Sequence, residues 1–167
     1  CLAFYTHKDI EKLEKFMSGK PIAEQEQSYS LLDEISAYAE TSMSRRKFLL
    51  NYFGEDFNEI NGEGALMDDN MKNPKPKFKV NNEVLLVLDL IKSTKEQYKT
   101  KDLVAYLTGK ENNLLRSHNV TENKLFGSGK NNDSVFWNSL LRHLIVNNLL
   151  KKNIETYGVL KLNDLSK

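Results

Sequence analysis

The chain has 167 residues, 24 Lys and Arg against 23 Asp and Glu, and 40% hydrophobic residues. That balance excludes a disordered tail, a fibrous repeat and a strongly polyionic protein. The longest purely aliphatic run, Val84 to Leu88, is far short of the ~20 apolar residues that span a bilayer, and the lone Cys1 excludes an internal disulfide or a multi-thiolate metal site.

Neither a secretory signal nor a membrane partner is expected, and the single thiol suits a reducing cytoplasm. The first residue is not Met, which suggests a piece of a longer protein. Residues 1–75 hold 9 basic and 14 acidic groups and residues 76–167 hold 15 and 9, so the charge swings from −5 to +6. A split of this kind favours an anionic partner for the second half.

Cys1 to Thr6 reads as a short apolar strand whose sheet would lie upstream. Asp9 to Met17 follows as an amphipathic helix with Ile10, Leu13, Phe16 and Met17 on one side. Pro21 is suited to the first position of a second helix. There Leu31, Leu32, Ile35, Tyr38 and Ala39 make one stripe. Arg45 to Phe53 is a third helix stopped at Gly54. Pro74 and Pro76 mark a linker.

Beyond it, Val84, Val87, Leu88 and Ile91 form one helix face, and Leu103, Val104 and Leu107 another, ended by Gly109. Asn112 to Ser117 is a short helix. Asp133 caps a longer one in which Trp137, Leu140, Leu141, Leu144 and Ile145 follow the i, i+3, i+4, i+7, i+8 pattern of a core face. Asn138, Arg142 and Asn147 lie opposite. Lys152 to Ile154, a turn at Tyr157-Gly158 and Val159 to Asn163 predict a β-hairpin. The fold class expected is mainly α: a helical hairpin followed by a winged helix, which is helices closed by a short β-hairpin wing.

Gly127 to Lys130 (GSGK) fails as a nucleotide-binding loop. Lys124 stands where the pattern needs its first Gly, and Asn131 where it needs Ser or Thr. Two readings remain. Its backbone N–H groups and Lys130 meet a nucleic-acid phosphate, or the glycines serve a loop that needs positive φ. His7, His118 and His143 are scattered, without ligand spacing. Asn61 with Asp68, Asp69 and Asn70 could offer oxygens to a hard cation, or form a polar turn. Lys99, Lys101, Lys110, Arg116, Lys124 and Lys130, interleaved with Asn112, Asn113 and Ser128, have the residue types that grip a sugar-phosphate backbone. They would equally suit a solvated face.

Ala37 to Glu55, Asn123 to Ile145 and Tyr157 to Leu162 together resemble the region that follows the motor in RecQ-family DNA helicases. Phe4 to Phe16 is similar to the end of that family's second RecA-like motor lobe. The resemblance implies four segments: 1–18 as the end of the motor, 19–73 as a helical hairpin like the RecQ zinc module, 74–82 as linker and 83–167 as the winged-helix (RQC) domain. It implies a parent that hydrolyses ATP with Mg²⁺ and unwinds DNA from 3′ to 5′ in recombination and repair, in the cytoplasm at the nucleoid. This chain would hold duplex and junction DNA, with the upstream motor as its partner and no catalytic residue of its own.

The DNA-binding candidates are Lys110, Asn112, Asn113, Arg116, Lys124, Ser128, Lys130 and Arg142, with Tyr157 as the strand-separating wedge. Trp137 is assigned to the core. The family's zinc cysteines fall on Ser44, Asn61 (or Ala65), Asp68 and Met71, so zinc is expected to be absent. Apolar packing of Phe48, Leu49, Tyr52, Phe53 and Phe57 would then hold residues 44–71. The rival functions are a winged helix that binds another protein and a free-standing transcriptional regulator.

Overall fold

The structure, a computed structural model, describes residues 4–17, 19–153 and 158–164. It divides into two compact units, Cys1–Pro76 and Lys77–Lys167.

In the first unit, α1 (His7–Met17) and α2 (Ile22–Glu40) form a helical hairpin, followed by α3 (Arg45–Tyr52) and the single turn α4 (Asp69–Lys72). The expected leading strand is corrected: residues 4–6 are irregular and exposed, with Phe4 90% accessible, and Cys1 to Ala3 lie outside the described residues. Burial also departs from the predicted stripes. Met17, Leu32, Ala37 and Phe48 are buried, whereas Leu13, Phe16, Leu31 and Ile35 are exposed. A 3.6-residue period identifies a helix face but not which edge of it meets a neighbour, and here the buried strip runs through Leu32 and Ala37. Gly54 has a φ of +83° one residue beyond the α3 cap, the conformation that stops a helix.

The second unit is built on α5 (Asn81–Ser93), α6 (Thr100–Thr108), α7 (Asn113–Ser117), a 3₁₀ turn (Val120–Glu122), α8 (Ser134–Val146) and the hairpin β1 (Leu150–Asn153) and β2 (Val159–Leu162). Side-chain oxygens start two of these helices: Asn112 Oδ1 accepts from Leu115 N, and Asp133 Oδ1 from Phe136 N, each at 2.8 Å. Gly109 ends α6 in the left-handed region at φ +70°.

The core follows the sequence pattern closely. Trp137, Leu140, Leu141 and Leu144 of α8 are buried against Val87, Leu90 and Ile91 of α5, Leu103 and Leu107 of α6, and Leu150, Leu160 and Leu162 of the wing. β1 and β2 pair antiparallel with Leu150 opposite Leu162 and Asn153 opposite Val159. A feature not predicted extends this sheet. Lys99 forms an antiparallel bridge with Val159, and Leu160 N donates to Tyr98 O at 3.0 Å. The segment before α6 therefore acts as a third, minimal strand, which ties the wing to the helices.

The glycines of the GSGK loop explain the packing at the centre. A methyl group on Gly129 would lie 2.6 Å from Trp137 Cζ2 and 3.0 Å from Leu107 Cβ. Trp137 Nε1 donates to Gly129 O at 2.9 Å, so the indole is seated on the loop by its ring and by its N–H. Overpacking such a site costs about 1–3 kcal/mol. Gly129→Ala is therefore expected to lower the unfolding free energy of the chain by that amount in urea titrations followed by tryptophan fluorescence. Unchanged stability would mean that the loop can move off the indole.

Candidate nucleic-acid interface

The loop that seats Trp137 also carries Lys130 and runs beside the end of α6, where Lys110 follows. Gly127 N donates to Tyr106 O and Gly129 N to Leu107 O, both at 2.9 Å, which lays the loop along the C-terminal turn of α6. The backbones touch there: a Cβ on Gly109 would stand 3.3 Å from Gly127 Cα. Lys110 directly follows Gly109, and Ser128 and Lys130 follow Gly127 at one and three residues. Lys110 and Lys130 are exposed.

Of the two readings of the glycines, the contacts carry the conformational one. The amides of Gly127, Ser128, Gly129 and Lys130 all donate to carbonyls of the chain, so none is aimed at an external phosphate. Gly127 needs its φ of +72°. Lys130 is left to supply charge.

The other candidates divide by how far the fold uses them. Asn112 is committed at both ends: its oxygen caps α7, and its Nδ2 donates to Oδ1 of the buried Asp102 at 2.8 Å. Ser128 Oγ donates to Leu125 O at 2.7 Å and keeps only acceptor capacity. Arg116 pairs with Glu111 at 3.1 Å, with its side chain 71% exposed, a geometry in which the pair is weak and the guanidinium can exchange partners. Asn113 and Lys124 are exposed, and Arg142 is half-buried on α8. Tyr157 lies outside the described residues. His118, unassigned by its sequence context, has Nδ1 2.7 Å from Oη of the buried Tyr98. That contact pins the end of α7 to the segment that joins the wing.

The positions of the family's zinc ligands tell a different story. Ser44 is buried, and its Oγ donates to Asp68 Oδ2 at 3.0 Å while accepting from Lys47 N. Asp68 Oδ1 caps α4 by accepting from Met71 N at 3.1 Å. Beside them, Arg45 forks onto Asp69 through Nε and Nη2, at 2.5 and 2.9 Å, and its Nη1 donates to Tyr38 O. Asn70, buried, donates to Thr41 O and Met43 O at 2.7 and 2.8 Å. These oxygens are already satisfied within the protein, Met71 offers only a weak thioether, and no three His, Cys, Asp or Glu side chains gather among the described residues. The donor set does not fit a tetrahedral zinc site.

The expected aromatic clamp over residues 44–71 is corrected as well. Phe48 is buried edge-on to Tyr38, but Leu49, Tyr52 and Phe53 are 46%, 51% and 69% exposed. The segment is held by the polar contacts of Asp68, Asp69 and Asn70 with residues 38–45. Arg46 adds a bond from Nη1 to Glu63 O at 2.6 Å. The sequence offers 68–70 as oxygens for a hard cation or as a polar turn; Asp68, a cap residue, is the local signal of the helical turn that forms.

A helical module followed by three-helix packing and a β-wing defines a winged-helix protein with an N-terminal helical appendage. Residues 74–167 match the family model of the RQC domain, and residues 7–64 match that of the RecQ zinc-binding family, a match that stops short of Asp68 and Met71. The chain belongs to the RQC domain family, and its sequence is that of the C-terminal region of RecQ-family helicases. Among relatives, a protein of Acanthamoeba polyphaga mimivirus named as an ATP-dependent RNA helicase is 27% identical over 90% of this chain and 29% of its own length. The ATP-dependent DNA helicases RecQ of Pasteurella multocida and Haemophilus influenzae are 26% and 27% identical over 95% and 87% of this chain, and 24% and 23% of theirs. The chain thus spans about a quarter of the length of these relatives. No helix among the described residues is long and apolar enough to cross a membrane.

Hydrogen bonds from Arg45 lower the Asp69 carboxyl from its ordinary 3.8 to about 2. A carboxyl that is more acidic in the folded state stabilises the fold above its unfolded value and loses that contribution as the pH falls through the folded one. Asp69→Asn is expected to lower the urea midpoint at pH 7 and to flatten its decline between about pH 4 and pH 2. An identical acid profile in both proteins would remove this pair from the account.

Proposed function

We propose that this chain is the duplex-gripping part of an ATP-dependent DNA helicase, and that it holds DNA beside the point where the strands part. The observation that carries the reading is the Gly109–Gly127 backbone contact, with the exposed Lys110 and Lys130 following in the two segments that meet there. Arg116, Lys124 and Arg142 extend this positive surface, Asn113 is a neutral donor, and Ser128 accepts where it can no longer donate. Asn112 acts by fixing α7. Tyr157, at the hairpin tip in sequence, is the residue proposed to abut the terminal base pair.

In this reading the segments keep the roles their resemblance implies. Residues 1–18 close the second motor lobe, 19–73 form a metal-free version of the zinc module, 74–82 link, and 83–167 bind DNA. The motor lobes hold ATP and Mg²⁺ and translocate 3′ to 5′, so this chain alone hydrolyses nothing. The parent works in recombination and repair, in the cytoplasm at the nucleoid.

Each phosphate contact on B-DNA contributes roughly −0.9 to the slope of log affinity against log salt. The chain is expected to bind duplex DNA with a steep slope and little sequence preference. Lys110→Glu combined with Lys130→Glu should flatten the slope by about two units and weaken binding uniformly across sequences. Fluorescence anisotropy over a salt series checks this. Unaltered affinity would favour the protein-interaction rival, and a parallel titration with an RNA duplex tests the substrate that the mimivirus relative's name suggests.

Zinc is proposed to be absent. Elemental analysis of the purified chain should find less than stoichiometric metal, and a chelator should leave the unfolding transition in place, because no folding free energy is drawn from a metal. One tightly held zinc per chain would overturn this part of the reading.

A further inference from the structure

A cleft of about 570 Å³ opens in the second unit between the turn after α5 and the segment that joins α7 to the 3₁₀ turn. Its volume lies within the about 300–1,000 Å³ of ligand sites. Gln97, Tyr98, Tyr106, His118, Asn119 and Glu122 are among the residues that line it. No Lys or Arg is among its described lining residues, in a half of the chain that has 15 of them. The cleft is not made for an anion, and none of these residues is a phosphate contact of the DNA-gripping reading.

Its wall is aromatic. The Tyr98 ring centroid lies 6.0 Å from that of Tyr106 and 5.6 Å from that of His118. Tyr98 Oη is committed to His118 Nδ1 at 2.7 Å. Tyr106 is different: it is only 1% exposed, yet its hydroxyl has no hydrogen-bond partner among the described residues. Burying a hydroxyl costs free energy that a hydrogen bond normally offsets, so an unpaired one calls for an external partner. The atom is not fully sealed, so a molecule in the cleft can reach it. Burial raises both phenols above their ordinary 10, which leaves Glu122 as the charge of the site. Its carboxylate makes no ion pair or hydrogen bond among the described residues, and the side-chain amides of Gln97 and Asn119 are likewise unbonded. The backbone around the cleft is strained. Lys95 and Glu96, consecutive and just before Gln97, have φ of +53° and +55°, and Asn119 has +49°. Non-glycine residues in that region cluster at ligand sites.

We infer that the cleft binds the guanidinium of an arginine side chain presented by a partner polypeptide. A guanidinium is flat, carries five N–H donors and keeps its charge. Its face suits the Tyr and His rings, and its edge the Glu122 carboxylate. The Tyr106 hydroxyl and the amide oxygens of Gln97 and Asn119 are acceptors for the remaining donors. A nucleobase would use the rings and amides but leave Glu122 without a counter-charge, and that carboxylate would repel the backbone attached to the base. The volume exceeds one side chain, which leaves room for the residues that flank the arginine.

The test titrates the full chain with the blocked tripeptide acetyl-Gly-Arg-Gly-amide, its citrulline counterpart and adenosine, followed by the NMR signals of the Gln97 and Asn119 side-chain amides. The arginine tripeptide is expected to saturate these signals with a Kd of about 1 mM. Citrulline keeps the flat N–H edge without the charge and should bind about tenfold more weakly. Glu122→Gln, at an exposed position, should weaken the arginine tripeptide by about the same factor. Tyr106→Phe should weaken it as well, while the urea midpoint of the free chain does not fall, because the lost hydroxyl bonds nothing in the protein. A lowered midpoint would give that hydroxyl a structural partner and remove it from the site. Signals that the arginine tripeptide does not move, equal binding by Glu122→Gln, or tighter binding of adenosine would each overturn the inference.

Discussion

The second unit depends on the place where Gly129 lies under Trp137. No side chain larger than hydrogen fits between that backbone and the indole, and the Trp137 N–H closes the contact by donating to Gly129 O. The loop is thereby fixed along α6, where two further amides donate to Tyr106 O and Leu107 O. The loop residues proposed to meet nucleic acid, Ser128 and Lys130, are held by this contact. Gly109 and Gly127 touch where the loop is drawn along α6, and Lys110 and Lys130 follow in these two segments.

The first unit solves a different problem by a different means. It buries few large apolar side chains, and a hairpin of its size has a poor ratio of core to surface. The family's usual answer is a metal; here Ser44 and Asp68, at two of those positions, hydrogen-bond each other. The substitution changes the chemistry of stability. A thiolate–zinc cluster fails with chelation and oxidation, whereas Asp69 on Arg45 fails with acid. Bidentate geometry and the stacking of Arg45 over the Tyr38 ring, 5.5 Å from its centroid, make this pair more directional than an ordinary surface salt bridge.

How much was legible in the sequence varies with the kind of force involved. The α8 stripe from Trp137 to Leu144 could be read at once, because a wide apolar face on a long helix has one way to be buried. Asp133 and Gly109 were legible as caps for equally local reasons. The stripes of α1 and α2 were legible as helices, but Leu13, Phe16, Leu31 and Ile35 proved to be outside, since burial is decided by the neighbour that the sequence does not name. The glycines of GSGK can be read for their amides or for positive φ; Gly127 bears out the second, and the volume that Gly129 lacks is what neither reading names. Asn112 looked like a surface donor because its partner, Asp102, is ten residues away on another helix. The polar clasp of 68–70 and the Lys99 bridge to the wing are long-range hydrogen bonds, to which periodicity is blind.

The charge asymmetry between the halves acquires a depth that a count does not have. The second half has 9 acidic residues, nearly enough to blunt its 15 basic ones if all were free on the surface. They are not evenly free. Asp102 is 3% exposed and receives the Asn112 amide, Asp133 caps α8, Glu96 holds the Leu162 amide, and Glu111 is turned onto Arg116. Each of these carboxylates is tied to a fixed internal donor or to one exposed guanidinium. Lys110, Lys124, Lys130 and Lys151 extend from the surface, with ammonium groups that can follow a partner. Interactions between exposed charges fade over about 8 Å at physiological salt. Four of the nine acids thus hold parts of the frame together, while Lys110, Lys124, Lys130 and Lys151 keep exposed ammonium groups.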